Sequence, residues 1–204
     1  MEEVASPEGF EANPGLVLEF YNQRRRQIVA AQPNEGHRAL ARLEKVFDVH
    51  IVTQNVDDLH ERAGSQRVLH LHGEIRKAHS TGDPQCVVDV EGTELSLGDV
   101  GPDGLQLRPH IVWFGEEVPA FGQAARVMDE ADLVLVVGTS LQVYPAAGLV
   151  GLAPAGVPIV VVDPHSPLEG GARVEVLPVG AVEGLGQLEI RWASADPQAP
   201  GADV

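Results

Sequence analysis

Cysteine and basic residues are scarce in this 204-residue sequence, and each shortage excludes a class of protein. A single cysteine cannot form an intramolecular disulfide framework. Lys and Arg number 14 against 30 Asp and Glu, and the formal net charge of −16 argues against direct binding of nucleic acid. The sequence shows no signal-peptide pattern and no apolar run of membrane-spanning length. We therefore expect a cytoplasmic protein with no membrane partner, whose acidic surface favours basic peptides.

The stretch from Thr53 to Glu74 is the candidate functional centre of the chain. Val49–Thr53 is a short β-branched run, which is the pattern of a buried strand, and it leads directly into the polar sequence QNVDD. Open α/β sheets bind their ligands at the carboxyl ends of strands, so these amides and carboxylates are candidate ligand-binding residues. Taken alone, QNVDD could equally be a helix-capping turn. A short helix is predicted over Asp57–Ala63, with Gly64 able to end it.

Three histidines in this stretch raise the question of a metal site. His70 and His72 would point to the same side if the run VLHLHG is extended, and His60 lies on the predicted short helix. No carboxylate stands at an obvious ligand spacing from them, so a metal-hydrolase site is the weaker interpretation. A structural role for His60 is the stronger one.

Helical and strand patterns alternate along the rest of the chain. Leu133–Gly138 and Pro158–Asp163 are uninterrupted apolar runs, as in buried parallel strands. The predicted helices are Pro14 to about Ala31 with Asn13 as N-cap, a following helix bearing Leu40, Leu43 and Phe47, Pro119–Glu130, one from Pro145, and one over 179–188. This alternation predicts an α/β fold with a doubly wound, Rossmann-like parallel sheet.

Two segments fall outside this pattern. Residues 76–107 are rich in Gly, Asp and Pro, and only Cys86–Val90 and Thr93–Leu97 resemble strands. We interpret 76–107 as a small irregular insertion in a single domain that spans 1–192. The tail, 193–204, is predicted to be disordered.

The strand ending at Gly138 is followed by two hydroxyl side chains. A glycine at a strand end permits close approach of the backbone, and Thr139 and Ser140 can contact a phosphate or a ribose. The tripeptide alone fits an ordinary turn equally well.

Four longer motifs resemble the sirtuins, a family of NAD-dependent protein lysine deacylases. They are TQNVDDLHERAG, LHLHGE, RPHIVWFGEEVP and VVGTSLQVYPAAG, and the resemblance runs in the expected order from about Phe20 to Asp163. Several motifs in register are far more specific than a lone glycine fingerprint. The resemblance implies NAD as co-substrate, acyl-lysine proteins or peptides as substrates, and release of nicotinamide, free lysine and O-acyl-ADP-ribose.

The resemblance also implies roles for individual residues in NAD binding and catalysis. His72, directly before Gly73, matches the catalytic base. The matches to the family's nicotinamide and ribose contacts are Gln54, Asn55 and Asp57. The matches to its other dinucleotide contacts are Gly138, Thr139, Ser140 and Asp163, although the family has asparagine at the last position.

On the substrate side, the resemblance implies an acyl-lysine channel between two loops. Its matching residues are Val112, Phe114 and Gly115 in one loop and Val143 and Tyr144 in the other. Tyr21 and Arg24 match the Tyr-x-x-Arg pair of bacterial sirtuins that remove succinyl and malonyl groups. A guanidinium and a phenol together can hold a carboxylate through three hydrogen bonds, so we expect desuccinylation over deacetylation. Without the match, a solvated basic face would be the stronger interpretation, because Arg25 and Arg26 adjoin.

The sequence departs from the family at the nucleotide-binding segment. These 204 residues contain no Gly-Ala-Gly phosphate loop and no Gly-Ile-Pro-x-Phe-Arg segment, and the first strand of the sheet is absent with them. We therefore expect weak NAD binding by this chain.

A second departure concerns the small domain, which in the family carries four cysteines on a structural zinc. Only Cys86 is present here, so no zinc is expected, and His79 and Asp83 are interpreted as loop residues. The apolar residues expected to hold the insertion together instead are Val87, Val88, Leu95 and Leu97.

The favoured hypothesis is a monomeric NAD-dependent protein deacylase. Two alternatives stay open at this point. One is a catalytically impaired module that binds NAD or ADP-ribose, and the other is a protein mono-ADP-ribosyltransferase.

Overall fold

The computed structural model describes residues 2–166 and 168–193. The helices are α1 (Pro7–Ala12), α2 (Pro14–Ala30), α3 (Glu35–Leu43), α4 (Leu59–Ala63), α5 (Phe121–Asp129) and α6 (Ala181–Ala193), with 3₁₀ helices at Glu2–Val4 and Ala146–Leu152. The strands are β1 (Ile51–Thr53), β2 (Val68–His70), β3 (Gly73–Ser80), β4 (Val87–Asp89), β5 (Leu107–Ile111), β6 (Val134–Val137), β7 (Ile159–Val162) and β8 (Val174–Leu177).

These residues form two compact units. The first comprises the described residues of Met1–Gln32, Val52–Asp58 and His70–Ala120, and the second those of Pro33–Ile51, Leu59–Leu69 and Phe121–Val204. The segment 76–107 therefore belongs to a larger unit that also contains α1 and α2. Of the predicted disordered tail, Ala193 ends α6 and the remaining residues lie outside those that the structure describes.

The first unit is built on an antiparallel sheet in the order β4-β3-β5, packed with α2. Helix α2 begins as predicted, because the Asn13 side chain accepts a hydrogen bond from the backbone N–H of Leu16 at 3.1 Å and Pro14 occupies the first turn. Its inward face contributes Val17 and Tyr21 to a core that also contains Ile75. This core fixes α2 against the sheet.

Three expectations for the insertion were wrong. Residues 73–80 form an eight-residue strand, β3, with a register shift between Gly73 and Ala78 in its pairing with β5, whereas Thr93–Leu97 forms no strand. The Asn22 side chain explains the second result, since its amide donates to the Leu95 carbonyl at 3.1 Å and its oxygen accepts from the Leu95 N–H at 2.9 Å. A side chain thus takes the place of a neighbouring strand. Leu95 is buried as expected, but Val87 and Leu97 are exposed.

The second unit contains a three-stranded parallel sheet in the order β6-β7-β8. Alternate residues of β7 enter different cores. Ile159 and Val161 pack in one cluster with Val150 of the 3₁₀ helix at Ala146–Leu152, whereas Val160 and Val162 pack with Leu188 of α6. Both faces of the sheet are covered, which confirms the Rossmann-like α/β prediction.

Local differences from the predictions remain in the second unit. The helix predicted from Pro145 is a 3₁₀ helix at Ala146–Leu152, and β8 had no strand prediction. The buried stripe of α3 is Gly36, Ala39 and Leu43, while Phe47 lies beyond the helix end and is exposed. Among the described residues, no helix has the length and apolarity needed to cross a bilayer.

Candidate functional site

His72 lies in a two-residue turn between β2 and β3. The run from Val68 to Gly73 is therefore not continuously extended, so the condition under which His70 and His72 would point to the same side is not met. Its backbone carbonyl accepts a hydrogen bond from the N–H of Val112 at 3.0 Å. This bond places His72 beside the segment that carries the predicted acyl-lysine contacts. His70, at the end of β2, has no comparable bond to Val112 among the bonds of the described residues.

The His72 ring has one nitrogen committed to the backbone. Its Nδ1 lies 3.3 Å from the carbonyl oxygen of Gln54. A carbonyl oxygen only accepts, so Nδ1 carries the hydrogen and Nε2 keeps the lone pair. His70 is held in the same way, with Nδ1 3.1 Å from the carbonyl oxygen of Asn55. In both imidazoles the lone pair is therefore on Nε2, and the contact with Val112 is what distinguishes His72.

Glycine is the only residue type that fits at position 73. Its φ is +85°, and a Cβ atom there would lie 2.1 Å from the carbonyl oxygen of His110. Neither the backbone conformation nor the space admits a side chain. The sequence His-Gly thus fixes where the histidine stands relative to β5.

The polar residues after β1 occupy a loop, as predicted. The Asn55 N–H donates to Thr53 Oγ1 at 3.0 Å, and the Asn55 side chain is exposed and makes no hydrogen bond with a described residue. Gln54 and Asp57 are half-buried in the same loop. The predicted helix begins two residues later than expected, at Leu59, and ends before Gly64, whose φ is +108°. An exposed carboxamide that makes no hydrogen bond with a described residue is suited to binding another carboxamide.

The predicted acyl-lysine loop of the first unit follows β5 directly. Phe114 is 58% exposed, and Gly115 has φ +88°. Below this loop, Arg108 donates two hydrogen bonds to the Glu116 carboxylate at 2.7 and 3.0 Å, and the same carboxylate accepts from the Trp113 N–H at 2.7 Å. Burial raises the pKa of Glu116, but these hydrogen bonds outweigh burial and leave its pKa below the ordinary value.

Tyr21 and Arg24 lie one turn apart on α2 in different environments. Tyr21 is 5% exposed, and its hydroxyl oxygen accepts a hydrogen bond from Trp113 Nε1 at 2.9 Å. Arg24 is exposed, and its guanidinium lies 4.5 Å from the centre of the Phe20 ring. Burial raises the pKa of Tyr21 although the Trp113 hydrogen bond and the charge of Arg24 act to lower it. The hydroxyl therefore stays protonated and able to donate.

His79 is a strand residue, not a loop residue as the sequence suggested. It lies in β3 with 8% exposure, and its Nδ1 is 3.1 Å from Nδ1 of His110 in β5. Burial, followed by the charges of Arg108 and His110, lowers the pKa of His79 to about 4. Asp83 is a loop residue as expected, since its carboxylate accepts from the Gln85 N–H at 2.9 Å.

This pKa predicts a loss of stability in mild acid. Unfolded histidine has a pKa of about 6.5. Between pH 6.5 and 4, position 79 therefore binds a proton in the unfolded chain but not in the folded protein. Above about pH 6.5 His79 is neutral in both states and does not lower the free energy of unfolding. By pH 5 its protonation in the unfolded chain lowers that free energy by roughly 1–2 kcal/mol. Urea titrations of wild type and His79→Gln at pH 7.5 and pH 5 measure it. The variant is expected to lose less stability on acidification, and identical pH dependence in the two proteins would contradict the assignment.

In the second unit, Gly138 ends β6 with φ +60° and open space where a Cβ would stand. Its N–H donates to the Val162 carbonyl at 3.0 Å, so the turn begins at a fixed point of the sheet. Thr139 Oγ1 accepts from the Leu141 N–H at 3.2 Å, and Ser140 is exposed. An open strand end with a glycine and two hydroxyls fits a phosphate or a ribose of NAD.

Asp163 stands at the carboxyl end of the neighbouring strand, β7. One of its carboxylate oxygens accepts from the His165 N–H at 2.7 Å. The carboxylate can accept further hydrogen bonds, as a ribose hydroxyl would require. The predicted weak affinity for NAD stays a prediction.

Val143 and Tyr144 lie in the loop after Leu141. Both are exposed, and Tyr144 is 76% exposed. Neither is part of a core, which agrees with a role in binding, although burial alone assigns no ligand.

No metal centre is formed by the described residues. They contain no group of three or more His, Cys, Asp or Glu side chains placed to hold a metal ion, and the half-buried Cys86 is not in a disulfide. The residues present therefore do not fit the four-thiolate zinc site of the family. His60 packs against His37 with ring centres 4.8 Å apart.

Sequence reasoning placed 112–116 in the acyl-lysine loop but gave no individual role to three residues that shape this site, namely Arg108, Trp113 and Glu116. The guanidinium of Arg108 lies 3.4 Å from the centre of the Trp113 ring, so a cation, an indole and a carboxylate form one cluster. The available signal was a pair of opposite charges that bracket the apolar run HIVWFG. That signal is weak, because charges eight residues apart meet only if the chain turns between them.

Comparison with known proteins gives consistent matches. A family model described as the Sir2 family matches residues 1–145. A relative from Bacteroides thetaiotaomicron, named NAD-dependent protein deacylase, is 47% identical over 195 residues, which cover 93% of this chain and 83% of the relative. A solved Sir2 homologue in complex with NAD is 37% identical with a TM-score of 0.87, covering 95% of this chain and 78% of that chain. A Sir2 mutant solved with a p53 peptide and NAD is 29% identical with a TM-score of 0.78, covering 93% and 84%.

Proposed function

Because this chain belongs to the Sir2 family, we propose that its NAD-dependent protein deacylase activity is directed at acyl-lysine groups that end in a carboxylate, such as succinyl and malonyl. The observation that carries this preference is the environment of Arg24. Among the described residues, Arg24 makes no ion pair with a carboxylate, although the sequence contains 30 acidic residues. An uncompensated guanidinium one turn from a buried phenol is suited to an anionic acyl group.

The chain's own residues would divide the remaining tasks. NAD, when bound, supplies the ribose carbon to which the acyl oxygen becomes attached as nicotinamide leaves. Gln54, Asn55 and Asp57 would hold the nicotinamide and its ribose. The residues proposed for the rest of the dinucleotide are Gly138, Thr139, Ser140 and Asp163.

His72 would act as the general base. Its Nε2 keeps the lone pair, because Nδ1 donates to the Gln54 carbonyl, and a proton from a ribose hydroxyl would move to this atom. The backbone contact with Val112 supports this role, since it brings the imidazole next to the loop proposed to bind the acylated lysine.

Contacts with the substrate peptide are proposed in each unit by itself, from exposed residues of one loop in each. The proposed contacts are Val112, Phe114, Gly115, Val143 and Tyr144. Phe114 and Tyr144 are large, exposed aromatic side chains, and each offers apolar contact area of the kind that peptide-binding surfaces use.

The acyl preference predicts a selective effect of Arg24→Met. Loss of the guanidinium removes charge-assisted hydrogen bonds to the succinyl carboxylate, so kcat/KM for a succinyl-lysine peptide is expected to fall about 10- to 100-fold. For the same peptide with acetyl-lysine, kcat/KM should change by less than about threefold. Both are measured at saturating NAD by the release of nicotinamide.

Arg26→Met is the matched control for this test. Arg26 lies on the same helix, but it is exposed and already paired with Glu19 and Glu94. We expect Arg26→Met to leave kcat/KM unchanged for both the succinyl-lysine and the acetyl-lysine peptide. Equal losses on the two substrates in Arg24→Met would show that the preference is wrong.

A further inference from the structure

The Tyr21 hydroxyl has a hydrogen that the described part of the protein does not use. The side chain is 5% exposed, and its single hydrogen bond among the described residues is the one it accepts from Trp113 Nε1. A buried donor without an acceptor is rare and destabilising in proteins. Its presence indicates a ligand that accepts a hydrogen bond at this point.

The indole of Trp113 determines which way the phenol donates. An indole N–H can only donate, so the phenol must use an oxygen lone pair toward Trp113 and direct its own hydrogen elsewhere. A carbonyl or carboxylate in the same place would have consumed that hydrogen. The bond from Trp113 therefore keeps Tyr21 as a free donor.

Trp113 is itself held in place from two sides. The Arg108 guanidinium stacks 3.4 Å from the ring centre, and the Phe10 ring packs 5.5 Å away on a tilted plane. The backbone N–H of Trp113 donates to the Glu116 carboxylate at 2.7 Å, and the residue is 3% exposed. The indole cannot turn away from Tyr21 without breaking these contacts, so the donor direction of the phenol is preorganised.

The charges near Tyr21 favour an anion. The two cations whose charges act on the Tyr21 hydroxyl are Arg24 and Arg108. Arg108 is compensated by its two hydrogen bonds to Glu116, and Arg24 has no carboxylate partner among the described residues. A free phenolic donor beside an uncompensated guanidinium is suited to a carboxylate.

We propose that Trp113 is a specificity-determining positioning residue, whose indole N–H orients the Tyr21 hydroxyl so that it donates to the terminal carboxylate of the acyl group. This inference rests on the proposed preference for succinyl and malonyl groups. Trp113 acts through Tyr21 and does not touch the carboxylate, so its effect requires the Tyr21 hydroxyl.

A double-mutant cycle tests this dependence. Trp113→Phe removes the N–H, Tyr21→Phe removes the hydroxyl, and the double variant removes both. We expect Trp113→Phe to lower kcat/KM for the succinyl-lysine peptide about tenfold, mainly through a higher KM. For the acetyl-lysine peptide, kcat/KM should change less than about threefold. In the Tyr21→Phe background, Trp113→Phe should have no further effect on the succinyl preference. Equal losses on both substrates, or independent effects in the cycle, would overturn the proposal.

A fluorescence measurement decides the question even if Trp113→Phe folds poorly. The sequence contains two tryptophans, so Trp192→Phe leaves Trp113 as the only indole. Binding of the succinyl-lysine peptide is expected to shift Trp113 emission, the acetyl-lysine peptide is not, and Tyr21→Phe should abolish the shift. The same response to both peptides would overturn the proposal.

The outcomes also separate this inference from the proposed function. If Arg24→Met lowers kcat/KM equally for the two substrates, the acyl preference itself is wrong. If Arg24→Met is selective for succinyl-lysine and Trp113→Phe is not, only the role of Trp113 is wrong.

Discussion

Replacing His72 by tyrosine is expected to lower the rate of acyl removal by about 10²–10⁴-fold, the usual contribution of a general base. A neutral phenol oxygen can accept a hydrogen bond but is too weak a base to take the proton that Nε2 of His72 would accept. NAD binding should change little, because the proposed dinucleotide contacts lie on other residues. Acyl removal is measured by product formation at saturating NAD, and NAD binding by calorimetric titration.

His70→Tyr is the matched control for the base. His70 also donates from Nδ1 to a backbone carbonyl, that of Asn55, so it offers a similar Nε2. The backbone bond from the Val112 N–H goes to the His72 carbonyl oxygen, and this bond distinguishes the two histidines. We therefore expect His70→Tyr to keep most of the activity. Normal turnover by the His72 variant together with loss of turnover in the His70 variant would reverse the assignment.

The elements that the sequence predicts best are those specified by local signals. The runs at Leu133–Gly138 and Pro158–Asp163 became β6 and β7 because apolar β-branched residues suit a strand buried on both faces. Helix α2 starts at Pro14 because Asn13 is an N-cap, and both signals lie within a few residues of the boundary. Such features require no knowledge of distant contacts.

The segments that were predicted wrongly depend on distant contacts. Thr93–Leu97 has a strand composition, but Leu95 bonds the side chain of Asn22, a residue 73 positions earlier. Strand β3 was missed because its residues pair with β4 and β5, whose positions the local pattern does not reveal. The pairing of His79 with His110 across β3 and β5 was hidden for the same reason.

The candidate site shows the same division. Motifs indicated the residues that would touch ligands, such as His72 and Arg24, because each stands in a recognisable run. The residues that support them were not indicated. Trp113 bonds Tyr21 from 92 positions away, and this contact exists only once α2 packs on the sheet.

Arg25→Met is expected to destabilise the first unit by about 3 kcal/mol or more, because it leaves buried acceptors unpaired. The run Arg24-Arg25-Arg26 suggested a solvated basic face, yet Arg25 is 0% exposed. Its guanidinium donates to the carbonyl oxygen of Ile75 at 2.7 Å and to that of Thr93 at 2.9 Å. Burial lowers the pKa of Arg25. The two carbonyls and the Asn22 side-chain oxygen, which also accepts from the guanidinium at 2.7 Å, offset the cost of burying the charge, although Nη2 is buried with no hydrogen-bond partner among the described residues.

The loss should appear in urea unfolding at pH 7.5 as a lower midpoint with an unchanged slope. Arg26→Met removes the same charge from the next position, where the side chain is exposed and paired with Glu19 and Glu94, so it should move the midpoint little. The contrast between these adjacent variants isolates burial from net charge. Equal shifts in both would mean that the loss of a positive charge, and not the bonds from Arg25 to Ile75 and Thr93, sets the stability of this unit.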